Sequence, residues 1–139
     1  MDDLTERGLQ VFSDLMGPEA AEQMRAAMND TGIGADVARL ATDFAFGSVW
    51  SRDGLERKQR SLVVIGVLIA QRQYQELKNH IRIGLTNGLT VREIEEAIIQ
   101  TIPYLGFPAV ASAIGPVMEV LRERGLDTGT ATAEERGLM

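Results

Sequence analysis

The sequence has no cysteine and a single histidine, His80, among its 139 residues. Without cysteine the chain can form no disulfide, no thiolate zinc site and no iron–sulfur cluster, and it can carry out no thiol-based catalysis. One histidine excludes a multi-histidine metal site within a single chain. His80 is therefore the one side chain whose unperturbed pKa lies near neutrality, and acid–base chemistry at neutral pH depends on it.

Positive charge is also scarce, because fourteen Lys and Arg residues stand against twenty Asp and Glu residues, for a net charge of −6. Such an excess of negative charge disfavours binding to the phosphate backbone of a nucleic acid. We therefore expect no nucleic-acid partner. No apolar run approaches the roughly 18 residues of a membrane span, and residues 1–6 are acidic where a secretory signal would be basic. We therefore expect a soluble, cytoplasmic protein with no membrane partner.

What the sequence does contain is helical periodicity. Its length is that of one domain, and 45% of its residues are hydrophobic, which is enough to form a core. Apolar residues recur at three- and four-residue steps through most of the chain, and Gly or Pro separates the segments. We predict an all-α, single-domain bundle of six to eight helices over residues 1–126. Residues 127–139 have no apolar period, and we expect a C-terminal tail there that is flexible or lies on a neighbouring subunit.

Several segments have distinctive local patterns. Thr90 and Glu93 have the spacing of a capping box, which predicts the start of a helix. Residues 35–47 have the pattern of a helix with one apolar face, and residues 48–54 that of an irregular stretch. Residues 62–70 contain no charge, and we predict a fully buried helix there.

Glu76 and His80 lie four residues apart in an amphipathic segment, residues 74–86, and both fall within the otherwise apolar sector of its helical wheel. In one interpretation, desolvation and mutual interaction shift their pKa values, and Gly84 leaves room for a small molecule beside an acid–base pair. In the other, they form an ordinary pair at the border of the helix, covered by a loop or a neighbouring subunit. The pattern alone leaves both interpretations open.

Trp50, Arg52, Arg60 and Tyr104 are further candidates. Arg binds carboxylates bidentately and Trp covers a flat ring, so the first three suit an anionic cyclic ligand. The hydroxyl of Tyr104 can donate a hydrogen bond to an oxyanion. Each has a structural alternative, since Trp and Tyr are common in cores and interfaces. The sequence has no metal-ligand spacing, and we expect no metal.

Several stretches, taken together, resemble the γ-carboxymuconolactone decarboxylases over most of residues 5 to 125. The stretches are residues 46–55 (FGSVWSRDGL), Arg60-Ser61-Leu62, residues 76–82 (ELKNHIR), residues 87–90 (NGLT) with Glu93-Ile94, and residues 104–109 (YLGFPA). The alkylhydroperoxidase D-like peroxidases of the same superfamily have a Cys-x-x-Cys pair where this chain has Gln73 and Glu76, and a glutamate where it has Ser61. The chain therefore lacks the peroxidase chemistry and resembles the decarboxylase branch.

The resemblance implies an alkylhydroperoxidase D-like fold that assembles as a homo-oligomer, commonly a trimer or hexamer. It also implies a cofactor-independent decarboxylation of a carboxylated unsaturated lactone, similar to 4-carboxymuconolactone, in the catabolism of aromatic compounds. The electrons left by CO2 delocalise into the lactone carbonyl as a dienolate, so the reaction requires neither a metal nor a Schiff base.

The resemblance further implies that His80 is the catalytic proton donor and that Glu76 orients it. The residues that it implies for binding the ring, the carboxylates and the oxyanion of the substrate are Trp50, Arg52, Arg60 and Tyr104.

Two positions depart from the pattern of the family: Pro103 directly precedes Tyr104, and Ala111 stands where many relatives have Asn. A changed pocket with the same acid–base pair would suit another lactone or an unsaturated acid, and an isomerase or lyase reaction is one alternative. The other alternative is a non-catalytic oligomeric binding protein in which Glu76 and His80 are structural.

Overall fold

The computed structural model describes residues 3–126, 129 and 131–138. Over these residues the chain forms helices and turns without a β-strand, which confirms the all-α prediction. The chain divides into two compact units, Met1–Arg57 and Lys58–Met139. In the described ranges, no helix is long and apolar enough to cross a membrane.

The first unit is built from three α-helices and one π-helical segment. They are α1 (Asp3–Met16), α2 (Pro18–Met28), α3 (Ala35–Leu40) and the π segment (Ala41–Trp50). Gly17 separates α1 from α2 with a φ of 100°, which favours glycine, and Pro18 begins the next helix.

The π segment extends the helix that begins at Ala35 as far as Trp50, so the prediction of an irregular stretch from residue 48 is wrong for its first three residues. Hydroxyl groups explain the wider turns, because Thr42 Oγ1 donates to the carbonyl of Ala38 at 2.8 Å and Ser48 Oγ to that of Asp43 at 3.3 Å. Such side-chain hydrogen bonds to carbonyl groups of the preceding turn compete with the regular backbone hydrogen bonds of an α-helix.

The apolar face predicted for residues 35–47 is on the surface of the chain. Val37, Leu40 and Phe44 are 69%, 67% and 67% exposed. The periodicity that predicted this face is therefore correct, but the face is not covered within the chain.

Two glycines allow α1 and the π segment to cross in close contact. A β-carbon on Gly8 would lie 2.1 Å from the carbonyl oxygen of Thr42, and one on Gly47 would lie 2.8 Å from that of Leu4. A backbone oxygen cannot move aside as the end of a flexible side chain can. The crossing therefore requires glycine at both positions.

The second unit is built around a core to which four helices contribute. The helices are α4 (Arg57–Ala70, whose first residue ends the first unit), α5 (Tyr74–Thr86), α6 (Val91–Leu105) and α7 (Phe107–Glu123). The buried residues of the core are Ile65, Ile69, Leu77, Ile81, Leu89, Ile94, Ile98, Val110, Ala113, Val117, Val120 and Leu121.

The prediction that α4 is fully buried is wrong. Ile65 and Ile69 have no exposed surface, whereas Val63 and Val67 are 59% and 47% exposed. The core of the second unit contacts α4 along one stripe only, and the absence of charge in the sequence does not reveal which side is covered.

The predicted capping box at the start of α6 is confirmed. The amide of Glu93 donates to Thr90 Oγ1, and the amide of Thr90 donates to Glu93 Oε1, each at 3.0 Å. Lys58 Nζ lies 3.0 Å from the other carboxylate oxygen of Glu93. The hydrogen bond from the Thr90 amide and that from Lys58 both lower the pKa of this carboxyl group.

Residues 131–138 fold back onto the end of α7. Thr132 is buried, Arg122 forms an ion pair with Glu135, and the Glu135 amide donates to Thr132 Oγ1 at 3.2 Å. Residues 127, 128, 130 and 139 of the predicted flexible tail lie outside the described residues. The flexibility of the tail and the boundary at residue 126 stay predictions.

The close crossing predicts that Gly8→Ala lowers the free energy of unfolding by about 2–3 kcal/mol, because the backbone of α1 or of the π segment must shift. Gly54→Ala is the matched control, since nothing lies within 4 Å of a β-carbon there. Urea unfolding followed by circular dichroism measures both variants. Equal stability of the two variants would contradict the described crossing.

Candidate active site

The site is carried by α5, whose orientation is fixed by its buried side. Leu77 and Ile81 have no exposed surface, and Ile83 is almost completely buried. Glu76 and His80 lie at the border of this buried stripe, where Glu76 is exposed and His80 is half-buried. The pair is therefore reachable from the surface while its imidazole is largely removed from water.

Burial controls the electrostatics of His80. Desolvation lowers the pKa of the imidazole below its ordinary value, and the negative charge of Glu76 opposes this effect only in part. The Nδ1 atom of His80 is enclosed by protein. At neutral pH the imidazole is therefore mainly uncharged, and a nearby anion would favour its protonation.

The carboxylate of Glu76 belongs to a chain of polar contacts along α5. Asn79 Nδ2 donates to Glu76 Oε1 at 3.4 Å, and Arg82 Nη1 donates to Asn79 Oδ1 at 3.0 Å. Arg82 in turn binds Glu123 of α7 bidentately, at 2.8 and 3.1 Å. These hydrogen bonds lower the pKa of Glu123 and raise that of Arg82. Glu76 is thereby tied to a second helix.

A parallel ion pair joins the same two helices one turn earlier, with Lys78 Nζ 2.7 Å from Glu119 Oε2. Neither connection to α7 was predicted from the sequence. The three-residue spacing of Glu76, Asn79 and Arg82 is a signal for the contacts within α5, but the spacing does not identify partners 41 residues away. Partly exposed pairs of this kind contribute little stability.

The predicted room beside Gly84 is occupied. A β-carbon on Gly84 would lie 2.8 Å from Cδ1 of Leu89 and 3.7 Å from Cδ1 of Ile65. Glycine at this position lets the core pack against α5 and does not leave space for a ligand. The prediction of a small-molecule space at Gly84 is therefore wrong.

Ser61, at the position where the peroxidase branch has a glutamate, is fully buried in α4. Asn87 Nδ2 donates to Ser61 Oγ at 2.9 Å, which ties α4 to the C-terminal end of α5. A short hydroxyl side chain at this position holds two helices together.

The other predicted site residues are distributed between the two units. In the first unit, Trp50 is buried at the end of the π segment and Arg52 is exposed in the following turn. In the second unit, Arg60 is half-buried with its Nε enclosed, and Tyr104 is 81% exposed near the end of α6. The structure brings Glu76 and His80 together, and the roles of all six residues stay predictions.

A cavity of about 520 Å³ lies between α4 and α6 in the second unit. Its residues are Leu62, Val63, Gly66, Glu93, Glu96, Ala97, Gln100 and Thr101. Each of its two carboxylates is paired with a cation, Glu93 with Lys58 at 3.0 Å and Glu96 with Arg92 at 2.8 Å. Among the residues that the structure describes, no three acidic or His side chains are grouped as metal ligands.

The fold and the site together define an all-α protein with a desolvated imidazole and a carboxylate on one turn of a helix. A sequence model of the carboxymuconolactone decarboxylase family matches residues 35–133. The chain belongs to this family, and its all-α structure agrees with that assignment.

Two relatives extend the comparison. The nitrosuccinic acid decarboxylase npaB of Metarhizium robertsii is 39% identical over 111 residues, which cover 80% of this chain and 76% of the relative. The 4-carboxymuconolactone decarboxylase of Acinetobacter baylyi is 36% identical over 121 residues, which cover 87% of this chain and 89% of the relative. Both relatives are named as decarboxylases, and the chain is a carboxy-lyase of this family.

The electrostatics of the pair predict a pKa for His80 below its ordinary value, and Glu76→Gln should lower it further because the variant removes the opposing negative charge. Proton NMR titration measures this directly, since the spectrum contains the signals of one imidazole only. Glu95→Gln, which removes an exposed carboxylate from α6, is the control and should leave the titration unchanged. A higher pKa in Glu76→Gln than in the wild type would contradict the described pair.

Proposed function

We propose that this protein is a cofactor-independent decarboxylase of a carboxylated unsaturated lactone similar to 4-carboxymuconolactone, in the catabolism of aromatic compounds. The observation that carries the proposal is the desolvated imidazole of His80 beside the carboxylate of Glu76, in a chain 36% identical to a 4-carboxymuconolactone decarboxylase over 87% of its length. His80 is the proton donor in this proposal, and Glu76 orients it.

The reaction breaks the bond between the γ-carbon of the lactone and its carboxylate. CO2 leaves, and the electron pair of that bond delocalises into the lactone carbonyl as a dienolate. A proton from His80 then replaces CO2 on the carbon skeleton, so that atoms and charge balance. Removal of the departing carboxylate from water favours this step, because the neutral product CO2 does not need the hydration that the anion loses.

The lowered pKa of His80 determines how the proton reaches the site. The free protein holds the imidazole mainly neutral at pH 7, so the donor form is the minority. An anionic substrate beside the imidazole raises its pKa and stabilises the protonated form, as any opposite charge does at short range. Substrate binding and protonation of His80 are thus coupled, and kcat/KM should rise as the pH falls from 8 towards 6.

Glu76 has a positioning role that its contacts support. Its Oε1 is held by Asn79, which is held by Arg82 and through it by Glu123. A carboxylate fixed in this way holds the adjacent imidazole in one orientation and stabilises its protonated form.

The remaining predicted residues supply the binding groups of the proposal. Arg60, whose Nε is enclosed, lies on α4 in the same unit as His80 and would pair with a carboxylate of the substrate. Trp50 and Arg52 would contact its ring and a second carboxylate, and Tyr104 would donate to the developing oxyanion. We also propose that the enzyme works in the cytoplasm as a homo-oligomer, a trimer or hexamer.

A second candidate substrate follows from the 39% identity to the nitrosuccinic acid decarboxylase. A carboxylate on the carbon that bears a nitro group leaves its electron pair in that group as a nitronate when CO2 departs. The step again needs a proton on carbon and no cofactor. In this proposal His80 and Glu76 serve both reactions. The release of CO2 from each substrate distinguishes the two candidate reactions.

The proposal predicts that His80→Gln lowers kcat by about 100-fold or more, since a positioned proton donor contributes this much. Glu76→Gln should cause a smaller loss. Release of CO2 from 4-carboxymuconolactone and from nitrosuccinic acid is the measurement, and circular dichroism verifies that each variant is folded. Gln75→Ala, an exposed position on the same helix, is the matched control and should retain full activity.

Undiminished turnover in His80→Gln would refute the role of the imidazole while leaving the reaction class intact. Conversion of the lactone without release of CO2 would identify an isomerase. Absence of any reaction with both substrates, together with reduced stability of His80→Gln, would support the binding protein in which the pair is structural.

A further inference from the structure

Three polar side chains of α5 lead around the helix from α7 to the imidazole. With about 100° of rotation per residue, Arg82 and His80 lie roughly 160° apart, on nearly opposite sides of α5. Asn79 and Glu76 lie between them, so that consecutive side chains are separated by only about 40° to 60°. We refer to the series Arg82, Asn79 and Glu76 as the polar path.

The polar path begins at Arg82 because α7 holds its guanidinium by two nitrogens. Nε and Nη2 donate to the carboxylate of Glu123 at 2.8 and 3.1 Å. A bidentate pair of this kind fixes the plane of the guanidinium, so the third nitrogen, Nη1, points in one direction. Nη1 donates to Asn79 Oδ1 at 3.0 Å. All three nitrogens of Arg82 therefore bind protein groups, and binding to a substrate carboxylate would require one of these contacts to break.

Arg82 decides which end of the Asn79 amide faces Glu76. A guanidinium has donors and no acceptor, so it binds the oxygen of the amide and leaves the NH2 group on the other side. Nδ2 of that group donates to Glu76 Oε1 at 3.4 Å. A reversed amide would place Oδ1 against the carboxylate, and the two acceptor oxygens would repel each other. The donors of the polar path thus all point from α7 towards Glu76.

The last contact of the polar path restricts a side chain that would otherwise move. Glu76 is exposed, and a glutamate on the surface of a helix ordinarily occupies several rotamers. The hydrogen bond from Asn79 favours the rotamers that place Oε1 beside the amide. The charge of Glu76 acts on the imidazole of His80, and the strength of this effect depends on the distance from the carboxylate to the ring. The orientation of the Asn79 amide therefore affects His80.

We propose that Arg82 and Asn79 are positioning residues that act on the imidazole of His80. Arg82, held by Glu123 of α7, orients the amide of Asn79. That amide in turn holds Glu76 beside the ring, and neither positioning residue touches the substrate. The effect on turnover rests on the proposed function, whereas the effect on the imidazole requires no substrate.

A second ion pair between the same two helices separates a positioning role from a purely structural one. Lys78 Nζ lies 2.7 Å from Glu119 Oε2, so Lys78 also joins α5 to α7. Within the described residues, the polar side-chain contacts of Lys78 end at Glu119. Lys78→Met therefore removes a connection between the helices and leaves the polar path intact, which makes it the matched control.

NMR titration of the single imidazole tests the proposal without a substrate. Asn79→Leu, which keeps the size and the charge of the side chain, should lower the pKa of His80 as Glu76→Gln does, by a smaller amount. Arg82→Lys, which keeps the positive charge and loses the planar fork, should also lower this pKa. In Lys78→Met the pKa of His80 should not fall, because loss of a positive charge near an imidazole raises its pKa.

The double variant Asn79→Leu/Arg82→Lys distinguishes one path from two independent effects. If Arg82 acts through Asn79, the double variant should titrate as Asn79→Leu alone does, whereas independent effects would add. Turnover is the second readout. Each single variant should lower kcat by about two- to tenfold with KM unchanged, as expected for the loss of one hydrogen bond, and Lys78→Met should retain kcat. Circular dichroism verifies the fold of each variant.

An unchanged pKa of His80 in Asn79→Leu, additive shifts in the double variant, or an equal fall in Lys78→Met would overturn the proposal. A raised KM in Arg82→Lys with kcat unchanged would identify Arg82 as a substrate-binding residue and would equally overturn its positioning role. Full turnover of His80→Gln together with the expected pKa shifts would refute the proposed function of His80 and leave the positioning of its imidazole in place.

Discussion

Leu77 and Ile81 have no exposed surface, and their burial fixes the rotation of α5 about its own axis. Every property of the site follows from that rotation. It places His80 at the border of the core, where loss of water lowers the pKa of the imidazole. It leaves Glu76 at the surface, where the charge of its carboxylate still acts on the same imidazole. A helix rotated by one residue would bury the carboxylate, at a much higher cost in desolvation.

Besides the apolar core, two different kinds of contact join helices of this protein. At the crossing of α1 with the π segment, the absence of side chains at Gly8 and Gly47 lets backbone meet backbone. Between α5 and α7, long charged side chains such as Arg82 and Glu123 span the space that the apolar core leaves at the surface. The first contact tolerates no added atom, whereas the second depends on side-chain length and charge.

Local features of the fold were predictable from the sequence, and contacts between distant residues were not. The capping box of Thr90 and Glu93 involves atoms three residues apart, and the pairing of Glu76 with His80 follows from one helical turn. The exposure of Val63 depends instead on which side of α4 the rest of the chain covers.

The same distinction applies to the surroundings of the site. The link from Asn79 and Arg82 to α7 requires a partner 41 residues away, and the loss of space at Gly84 results from the position of a side chain in the following loop. Periodicity carries no information on either of these contacts.

That side chain is Leu89, whose Cδ1 fills the space where a β-carbon of Gly84 would lie, one helical turn from His80. The residue that fills this position is therefore not on α5 itself. A shorter side chain at this one loop position would leave a cavity in the core against α5. The fit of α5 into the core thus depends on a segment outside the helix, which the periodicity of α5 does not include.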